Sequence, residues 1–393
     1  MKSMRKNNFL LIALVSMGLT ACGGGSGDYN QTAATGSNGS LRLALTDAPS
    51  CGYDAVNVTV KSLRVHKSSN AADSDAGWAD MVLAPARRIN LLNLTNGVLE
   101  EMGQIPLSTG KYTQLRLVLA DNEPSNPLAN SVLPTGGVEV ALRTPSGQQS
   151  GVKASIDIDI AANKMADFVV DFNACKSLVS AGNSGQYLLK PVVAVIPRYV
   201  SGVSGFVAAN LANGSTSVSL QQVGVVIRAT APDAGGRFLL QPVAPGNYTL
   251  VMTAPGRATA AITGVPVSAD SVTTINSSGT ALTTAVSATG FIQGNAPTNT
   301  LVRVLQPLTV GTSVEVAGKF VDDVTGNYSY ATPVAATMVA AYVPPPLGMV
   351  FVTDTAAAGK YTAVASLSGF PDKTAALPLL AASAVITTNF TFP

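Results

Sequence analysis

The chain has 393 residues, of which 12% are charged and 6% are aromatic. This length exceeds what one hydrophobic core usually supports, so two or three domains are expected. The net charge is +2, with 24 basic and 22 acidic residues. It becomes −1 when Lys2, Arg5 and Lys6 are removed with an N-terminal leader. This balance excludes a broad basic surface for nucleic acid, and the low charge favours exported all-β modules.

Residues 1–21 are typical of a lipoprotein signal peptide. The positively charged start, MKSMRK, precedes an apolar run from Phe9 to Leu19. A helix needs about 20 apolar residues to span a bilayer, so this shorter run fits the hydrophobic part of a signal peptide. The run ends in Leu-Thr-Ala-Cys, which resembles a bacterial lipobox. The resemblance implies that Cys22 becomes the lipidated first residue, carrying acyl chains such as palmitate. The alternative is an ordinary secretory signal followed by an incidental cysteine.

The residues after the lipobox indicate the location of the protein. Residue 23 is Gly, whereas Asp at this place would resemble a signal for retention in the inner membrane. The expected location is therefore the bacterial outer membrane, with the modules facing the periplasm or the cell surface. Residues 22–40 are rich in Gly, Ser and Thr, which predicts a flexible tether.

Two further cysteines, Cys51 and Cys175, remain after lipidation. In an exported protein such a pair predicts a disulfide. The alternative is two buried free thiols. The sequence contains one histidine, His66, which argues against a metal site built from histidines.

Residues 41–199 are predicted to form an antiparallel β-sandwich. Leu41, Leu43 and Leu45 alternate with polar or small residues, which is the period of a half-buried strand. The apolar phase changes near Ser62, which predicts a bulge or bend. The segment INLLNLTNGVLEEMG is expected to contain a short helical turn.

Several motifs in this region occur in a characteristic order. TDAP is followed by INLLNLTNGVLEEMG, LSTGKYTQLRLVLADN, TPSGQQSGVK and DFNACKSLVSAGNSG, and then by YLLKPVV. Over about residues 39–197 the chain resembles the bacterial lipoprotein family known as domain of unknown function 4382. The resemblance implies an exported β-rich domain, and the family has no assigned activity to transfer.

Residues 200–285 and 286–393 are predicted to be two related β-sandwich modules. The order GRF, PGNY and APGR in the first resembles carboxypeptidase regulatory-like domains of the transthyretin-type fold. Such domains are usually non-catalytic accessories, and some relatives bind carbohydrate. GFIQGNA, GNYSYATPVA and AGKYTAVASLSGFPDKTA repeat the pattern in the second, divergent module. The copies differ by an insertion around AAYVPPPLGMVFVTD in the second one.

A short glycine-to-tyrosine motif recurs along the chain and is interpreted as a structural corner. Glycine permits a tight turn, and the tyrosine begins the next strand. Tyrosines at such corners have a structural role in sandwich folds, and the alternative is a tyrosine-lined ligand surface. Tyr112 belongs to another copy of the motif. Simple alternation places its side chain on the opposite face of the strand from the leucines, so this copy is expected to have a different structural role. The predicted corners are Gly246 with Tyr248, Gly326 with Tyr328, and Gly359 with Tyr361.

The sequence gives only weak indications of metal-binding, ligand-binding or catalytic residues elsewhere. Asp157 and Asp159 on one strand face are the best candidates for calcium, although solvated carboxylates explain them equally well. Trp78 is expected to anchor the core or its rim, and the alternative is a platform for sugars.

No nucleophile elbow, phosphate loop or zinc motif occurs. Two S-x-x-K matches occur, Ser108 to Lys111 and Ser150 to Lys153, and chance readily produces such a pattern in a Ser-rich chain. The first spans a turn into a strand, whereas the nucleophile of serine acylases with this motif begins a helix.

The sequence therefore predicts an all-β, lipid-anchored envelope protein without enzymatic activity or cofactor. Display, adhesion or ligand binding through the modules is the expected function. One alternative is a carbohydrate-binding accessory protein, and another is an envelope hydrolase with an unrecognised site. The expected partners are the membrane through the lipid anchor, and a carbohydrate or another envelope protein, with no nucleic acid.

Overall fold

The computed structural model describes residues 38–47, 52–145 and 150–393. The predicted signal peptide, most of the predicted tether, Cys22 and Cys51 lie outside these residues. The fold is all-β, as predicted, and consists of a series of β-sandwiches. The three largest hydrophobic clusters of the described residues divide the strands into a first module (β1–β12), a second module (β13–β19) and a third module (β20–β28), and a smaller fourth cluster lies between the second and third modules.

The first module consists of two packed sheets with strand orders β12-β9-β1-β4 and β10-β11-β7-β6-β2-β5-β8, and β3 pairs with β2. A 3-10 helix, η1 (Leu91–Leu94), and a short helix, α1 (Ala174–Ser177), connect strands. The strands are β1 (Asn38–Asp47), β2 (Tyr53–His66), β3 (Ala79–Asn90), β4 (Glu100–Ser108), β5 (Gly110–Leu119), β6 (Ser131–Pro134), β7 (Val140–Arg143), β8 (Val152–Ile160), β9 (Met165–Phe172), β10 (Leu178–Ser180), β11 (Tyr187–Leu189) and β12 (Val193–Pro197).

The first module differs from the predicted antiparallel sandwich in two strand pairs. Strand β1 runs parallel to β9, and β11 runs parallel to β7. Strand β9 follows β8 of the other sheet and reaches β1 by a crossover, so no hairpin fixes its direction. The leucines of β1 are nevertheless all buried, as the alternation predicts: Leu41, Leu43 and Leu45.

Two local predictions in the first module are confirmed. Between Val60 and Ser62 the register of β2 shifts by one residue against β5 and by three residues against β3, which is the predicted bulge. The helical turn in the INLLNLTNGV segment is η1, and the Asn90 side chain caps it by accepting a hydrogen bond from the Leu92 N–H at 3.2 Å.

The second and third modules have the same strand order, which confirms the predicted repeat. Their sheets are β16-β13-β19 with β15-β14-β17-β18, and β23-β20-β28 with β22-β21-β26-β27. The second module contains β13 (Gly202–Phe206), β14 (Ser217–Gln222), β15 (Val225–Thr230), β16 (Arg237–Leu240), β17 (Gly246–Thr253), β18 (Ala260–Val267) and β19 (Val272–Thr274), with 3-10 helices η2 (Ala209–Leu211) and η3 (Ser278–Thr280).

The third module adds a hairpin to this plan. Its strands are β20 (Thr289–Asn295), β21 (Leu301–Pro307), β22 (Ser313–Phe320), β23 (Asn327–Pro333), β24 (Thr337–Ala341), β25 (Val352–Asp354), β26 (Thr362–Ser366), β27 (Lys373–Ala376) and β28 (Val385–Thr387), with the 3-10 helix η4 (Thr355–Ala357).

The hairpin of β24 and β25 leaves the third module and extends a sheet of the second. Strand β24 runs parallel to β18, with Ala261 facing Val339. The predicted insertion around residues 340–354 therefore lies in a hairpin that joins a neighbouring module. It covers the edge of β18, whose unpaired backbone groups would otherwise be exposed.

Candidate functional site

Two tyrosine corners form the same local hydrogen bond. The Tyr248 hydroxyl donates to the Ala244 carbonyl oxygen at 2.8 Å, four residues upstream. The Tyr112 hydroxyl donates in the same way to the Ser108 carbonyl oxygen at 3.2 Å. Tyr112 is buried with the leucines of its strand in one core, and the register of β5 against β8 shifts just after it. The prediction that Tyr112 faces away from these leucines was wrong, because simple alternation assumes a strand without a register shift.

The two corners of the third module connect distant segments. The Tyr361 hydroxyl donates to the Pro333 carbonyl oxygen at 2.5 Å, and the Tyr328 hydroxyl donates to the Thr388 carbonyl oxygen. Burial raises the pKa of Tyr328 to about 12 and also raises the pKa of Tyr361. Buried rings with bonded hydroxyls have the geometry of structural anchors.

The corner glycines differ in how strongly the structure constrains them. Gly326 and Gly359 have φ angles of +70° and +62°, which favour glycine. A Cβ there would lie 2.2 Å from the Ala296 carbonyl oxygen and 2.5 Å from the Leu380 carbonyl oxygen, respectively. Gly246 has no such φ, but a Cβ there would lie 3.3 Å from the Tyr248 ring.

The two calcium candidates face a lysine. Lys111 Nζ lies 2.6 Å from Asp157 Oδ1, and Lys111 is the cross-strand partner of Asp159. The hydrogen bond to Asp157, followed by the charges of both carboxylates, raises the pKa of Lys111. No group of three potential metal ligands occurs within residues 38–47, 52–145 and 150–393.

Trp78 lies at the rim of the first module beside two arginines. The guanidinium carbons of Arg64 and Arg116 lie 4.8 Å and 4.6 Å from the centre of its ring. These arginines are cross-strand partners, and Asp73 bonds to both. The indole N–H donates to the Ala72 carbonyl oxygen at 2.9 Å. The tryptophan therefore holds the loop after β2 against the sheet by cation–π contacts.

The three modules meet at Glu315, a residue that the sequence analysis did not single out. Its side chain is 4% exposed, and Oε1 lies 2.5 Å from Lys176 Nζ of the first module. Arg303 Nη1, on the neighbouring strand of the third module, lies 3.8 Å from Oε2. A buried carboxylate requires such partners because its desolvation is costly.

The second module contacts the backbone of the same residue. The Gln221 side-chain amide donates to the Glu315 carbonyl oxygen at 2.9 Å, and its oxygen accepts from the Glu315 N–H at 2.7 Å. This pair of hydrogen bonds reproduces a rung of a β-ladder between β14 and β22. Gln221 thereby satisfies buried backbone groups that lack a strand partner there.

Helix α1 positions the lysine of this junction. The Asn173 side chain accepts a hydrogen bond from the Lys176 N–H at 2.9 Å and caps the helix. The Ala174 N–H donates to Asp47 Oδ1 at 2.8 Å, which ties the helix to the end of β1. Asn173 of the DFN segment is therefore the N-cap that fixes the start of this helix.

A cavity of about 430 Å³ lies beside the Lys176–Glu315 pair. This volume is within the range of small-molecule sites. Small and hydroxyl-bearing residues from all three modules line most of it: Gly52, Ser215, Ser217, Ser219, Ala229, Thr253, Ala317 and Gly318. Cys175 also lines this cavity, whereas Cys51 lies outside the described residues, so their pairing stays a prediction.

Further polar contacts join the modules around this junction. Arg228 of the second module bonds to Asp171 and donates to Thr46 Oγ1 at 2.8 Å in the first. Lys190 of the first module pairs with Asp323 and donates to Asn299 Oδ1 at 2.6 Å in the third. These contacts use residues that are far apart in sequence.

One sequence signal could have identified Glu315 and Arg228 as residues of the junction. Glu315 lies within SVEVAG and Arg228 within VVIRAT, where a single charge interrupts a short apolar strand. In a chain with few charges, a charge in a strand core needs a buried partner. The sequence does not identify that partner.

Residues 38–191 match the family model described as "Domain of unknown function (DUF4382)". This match covers the first module from β1 through β11 and confirms the predicted resemblance to that domain. No curated protein matches the chain in sequence. Within the described residues, no helix has both the length and the apolar character needed to cross a bilayer.

Several solved structures are similar to parts of the chain. A cohesin–X-dockerin complex of Acetivibrio cellulolyticus is 22% identical over 22% of this chain and 58% of its own, with a TM-score of 0.19. The chain therefore spans less than two-thirds of that structure. The major pilin SpaA of Corynebacterium diphtheriae is 11% identical over 90% of this chain and 99% of its own (TM-score 0.18). A Ca²⁺-stabilized adhesin with which an Antarctic bacterium binds ice is 10% identical over 88% and 74% (TM-score 0.12).

Proposed function

We propose that this protein is a non-enzymatic display unit of the bacterial outer membrane, anchored by lipid at Cys22. Its modules present a surface for adhesion or ligand binding. The observation that carries the proposal is the Glu315 junction, where one buried residue bonds to the other two modules. Burying a charge is costly. Modules that were joined only by flexible linkers would therefore not be expected to bury a charge where they meet.

The proposed role requires a tether and a head with different properties. Residues 22–37 provide the tether, with a reach of roughly 20–25 Å, because the last three residues of the predicted tether belong to β1. The head is the compact unit that begins after Gly36. We propose a transthyretin-like fold for its second and third modules, which their common strand order supports.

The proposal of a non-enzymatic role is supported by how candidate catalytic groups are engaged. In the first S-x-x-K match, Lys111 pairs with Asp157, and Ser108 Oγ lies 3.2 Å from the Tyr112 hydroxyl. The serine and lysine of this match therefore have other partners. Assays with chromogenic esters, glycosides and peptides should detect no turnover. Turnover that Glu315→Gln abolishes would assign catalysis to the junction cavity and contradict the proposal.

Cell fractionation and protease treatment test the display role directly. The wild-type protein should sediment with outer membranes, and Cys22→Ser should release it as a soluble form. Protease added to intact cells should cut the tether and release the head as one resistant fragment. Cleavage only after the outer membrane is permeabilised would place the head in the periplasm and exclude surface adhesion. An unchanged membrane fraction of Cys22→Ser would contradict the lipid anchor.

A further inference from the structure

The outer face of the small sheet in the third module carries a row of polar side chains. Gln293 on β20 is the direct cross-strand partner of Ser329 on β23 and of Thr387 on β28. Neighbouring strands lie about 4.8 Å apart. The row therefore places three hydrogen-bonding groups at intervals close to the width of a sugar ring.

These side chains are available for a ligand. Gln293, Ser329 and Thr387 are exposed, and no hydrogen bond of their side chains occurs in the part of the chain that the structure describes. The next residues along β20 and β23, Ile292 and Tyr330, are buried on the opposite face. The polar row is therefore not needed to hold the sheet together, whose stability comes from the other face.

The row lies in a groove of about 610 Å³ that the first module closes on one side. Asn183 of the first module and Lys319 of β22 also line the groove. Among the described residues, neither side chain has a hydrogen bond or an ion pair, although Lys319 Nζ lies 5.5 Å from the centre of the Tyr330 ring. The groove thus offers amide, hydroxyl and ammonium groups to one bound molecule.

The groove has no net charge. Lys319 is its cation, and Asp322 is its anion. The Asp322 carboxylate accepts hydrogen bonds from Gly182 N–H at 2.8 Å, Val324 N–H at 3.0 Å and Thr325 N–H at 2.8 Å, among others. Because its oxygens are occupied, Asp322 shapes the groove instead of binding the ligand. A lining with these properties suits hydroxyl groups better than an anion.

An exposed aromatic ring lies beside the polar row. Phe291 is two residues before Gln293 on β20 and therefore on the same face, and it is 41% exposed. Its cross-strand partners are Ala331 and Val385, and part of the ring remains uncovered. An apolar ring next to hydrogen-bonding amides can pack against the C–H face of a sugar while the amides bind its hydroxyls.

We propose that this groove, with Phe291 at its end, binds a neutral oligosaccharide. The inference rests on the proposed ligand-binding role of the head and names its ligand class. Gln293 and Asn183 bind hydroxyls as donor and acceptor, Lys319 acts as a donor, and Phe291 packs against one sugar ring. The site differs from the junction cavity beside Glu315.

Calorimetric titration of the full-length protein in detergent tests this assignment. The probes are cellohexaose, xylohexaose and N-acetylchitohexaose, with an alginate hexasaccharide as the acidic comparison. At least one neutral probe should bind, and raising the salt concentration should change its affinity little. Gln293→Ala and Phe291→Ala should each weaken binding about tenfold, since each removes one contact.

Thr374→Ala is the matched control, because Thr374 is also an exposed strand residue of the third module but lies on β27. It should leave affinity unchanged, and all three variants should keep the wild-type melting temperature. Binding of none of the neutral probes would overturn the proposal, as would neutral binding that Gln293→Ala leaves intact or binding of alginate alone. Fractionation and protease cleavage do not depend on a glycan, so failure here is distinguishable from failure of the display role.

Discussion

Glu315 and Lys176 form a buried ion pair across 139 positions of sequence and between two modules. Removing one partner of such a pair costs about 3–5 kcal/mol because the other charge remains buried. Glu315→Gln should therefore lower the free energy of unfolding by about that amount, measured by urea denaturation. The Gln221 bonds use the backbone of residue 315 and should survive the substitution.

A double-mutant cycle separates this pair from its surroundings. Lys176→Met combined with Glu315→Gln should cost clearly less than the sum of the single changes. The exposed pair of Lys111 and Asp157, with side chains 52% and 75% exposed, provides the control. Breaking that pair with Asp157→Asn should cost less than about 1 kcal/mol. Additive effects of the two junction changes would show that the pair is not coupled.

Gly326 can be compared with Gly256, which has nearly the same backbone conformation. Their φ angles are +70° and +67°, so alanine at either position should cost about 1–2 kcal/mol for the left-handed conformation. A Cβ at Gly326 would also lie 2.2 Å from the Ala296 carbonyl oxygen, whereas no atom lies within 4 Å at Gly256. Thermal unfolding should show that Gly326→Ala destabilises the protein more than twice as strongly. Equal losses would mean that the close approach is relaxed at little cost.

Local patterns predicted much of this fold because they depend on neighbouring residues. The bulge before Ser62, the capped turn after Asn90 and the repeat of the last two modules all leave a signal in a short window of sequence. The pairing of β9 with β1 and of β24 with β18 leaves no such local signal, because it depends on contacts between residues that are far apart in the sequence. The junction was missed for the same reason: Glu315 and Lys176 carry no shared motif, and only the folded chain brings them together.

The hydroxyl groups of the tyrosine corners should contribute to stability individually. Tyr248→Phe keeps the buried ring and leaves the Ala244 carbonyl oxygen without its donor. The expected loss is about 0.5–1.5 kcal/mol, and Tyr112→Phe should behave alike because its hydroxyl makes the same bond to Ser108. Urea midpoints of the two variants provide the measurement. If neither variant is less stable than the wild type, the corners contribute through their rings alone.

Asp322 should make stability depend on pH in the acid range. Burial raises the pKa of its carboxyl group, but the hydrogen bonds from Thr325, Gly182 and Val324 outweigh burial and hold it well below its usual range. In the unfolded chain an aspartate titrates near about 3.9. The stabilisation is therefore fully present above that pH and is lost as the pH falls further.

The variant Asp322→Asn tests this dependence. The difference in melting temperature between wild type and variant should be largest near neutral pH and should shrink as the pH falls below about 4. Asp270→Asn is the control, because Asp270 is exposed and makes no side-chain hydrogen bond among the described residues. A difference between wild type and Asp322→Asn that stays constant down to pH 2 would contradict the role of the ionised carboxylate.

The proposed disulfide between Cys51 and Cys175 is supported by the segments that flank the two cysteines. The Asp47 carboxylate, at the end of β1, accepts a hydrogen bond from the Ala174 N–H, and Gly52 lines the same cavity as Cys175. Peptide mapping without reductant should recover one peptide that joins the two cysteines. Closing a loop of roughly 125 residues stabilises a protein by about 4–5 kcal/mol in the chain-entropy account. Cys175→Ser should therefore lower the urea midpoint strongly, and reductant should then have no further effect. If reductant destabilises Cys175→Ser as much as the wild type, the bond does not involve Cys175.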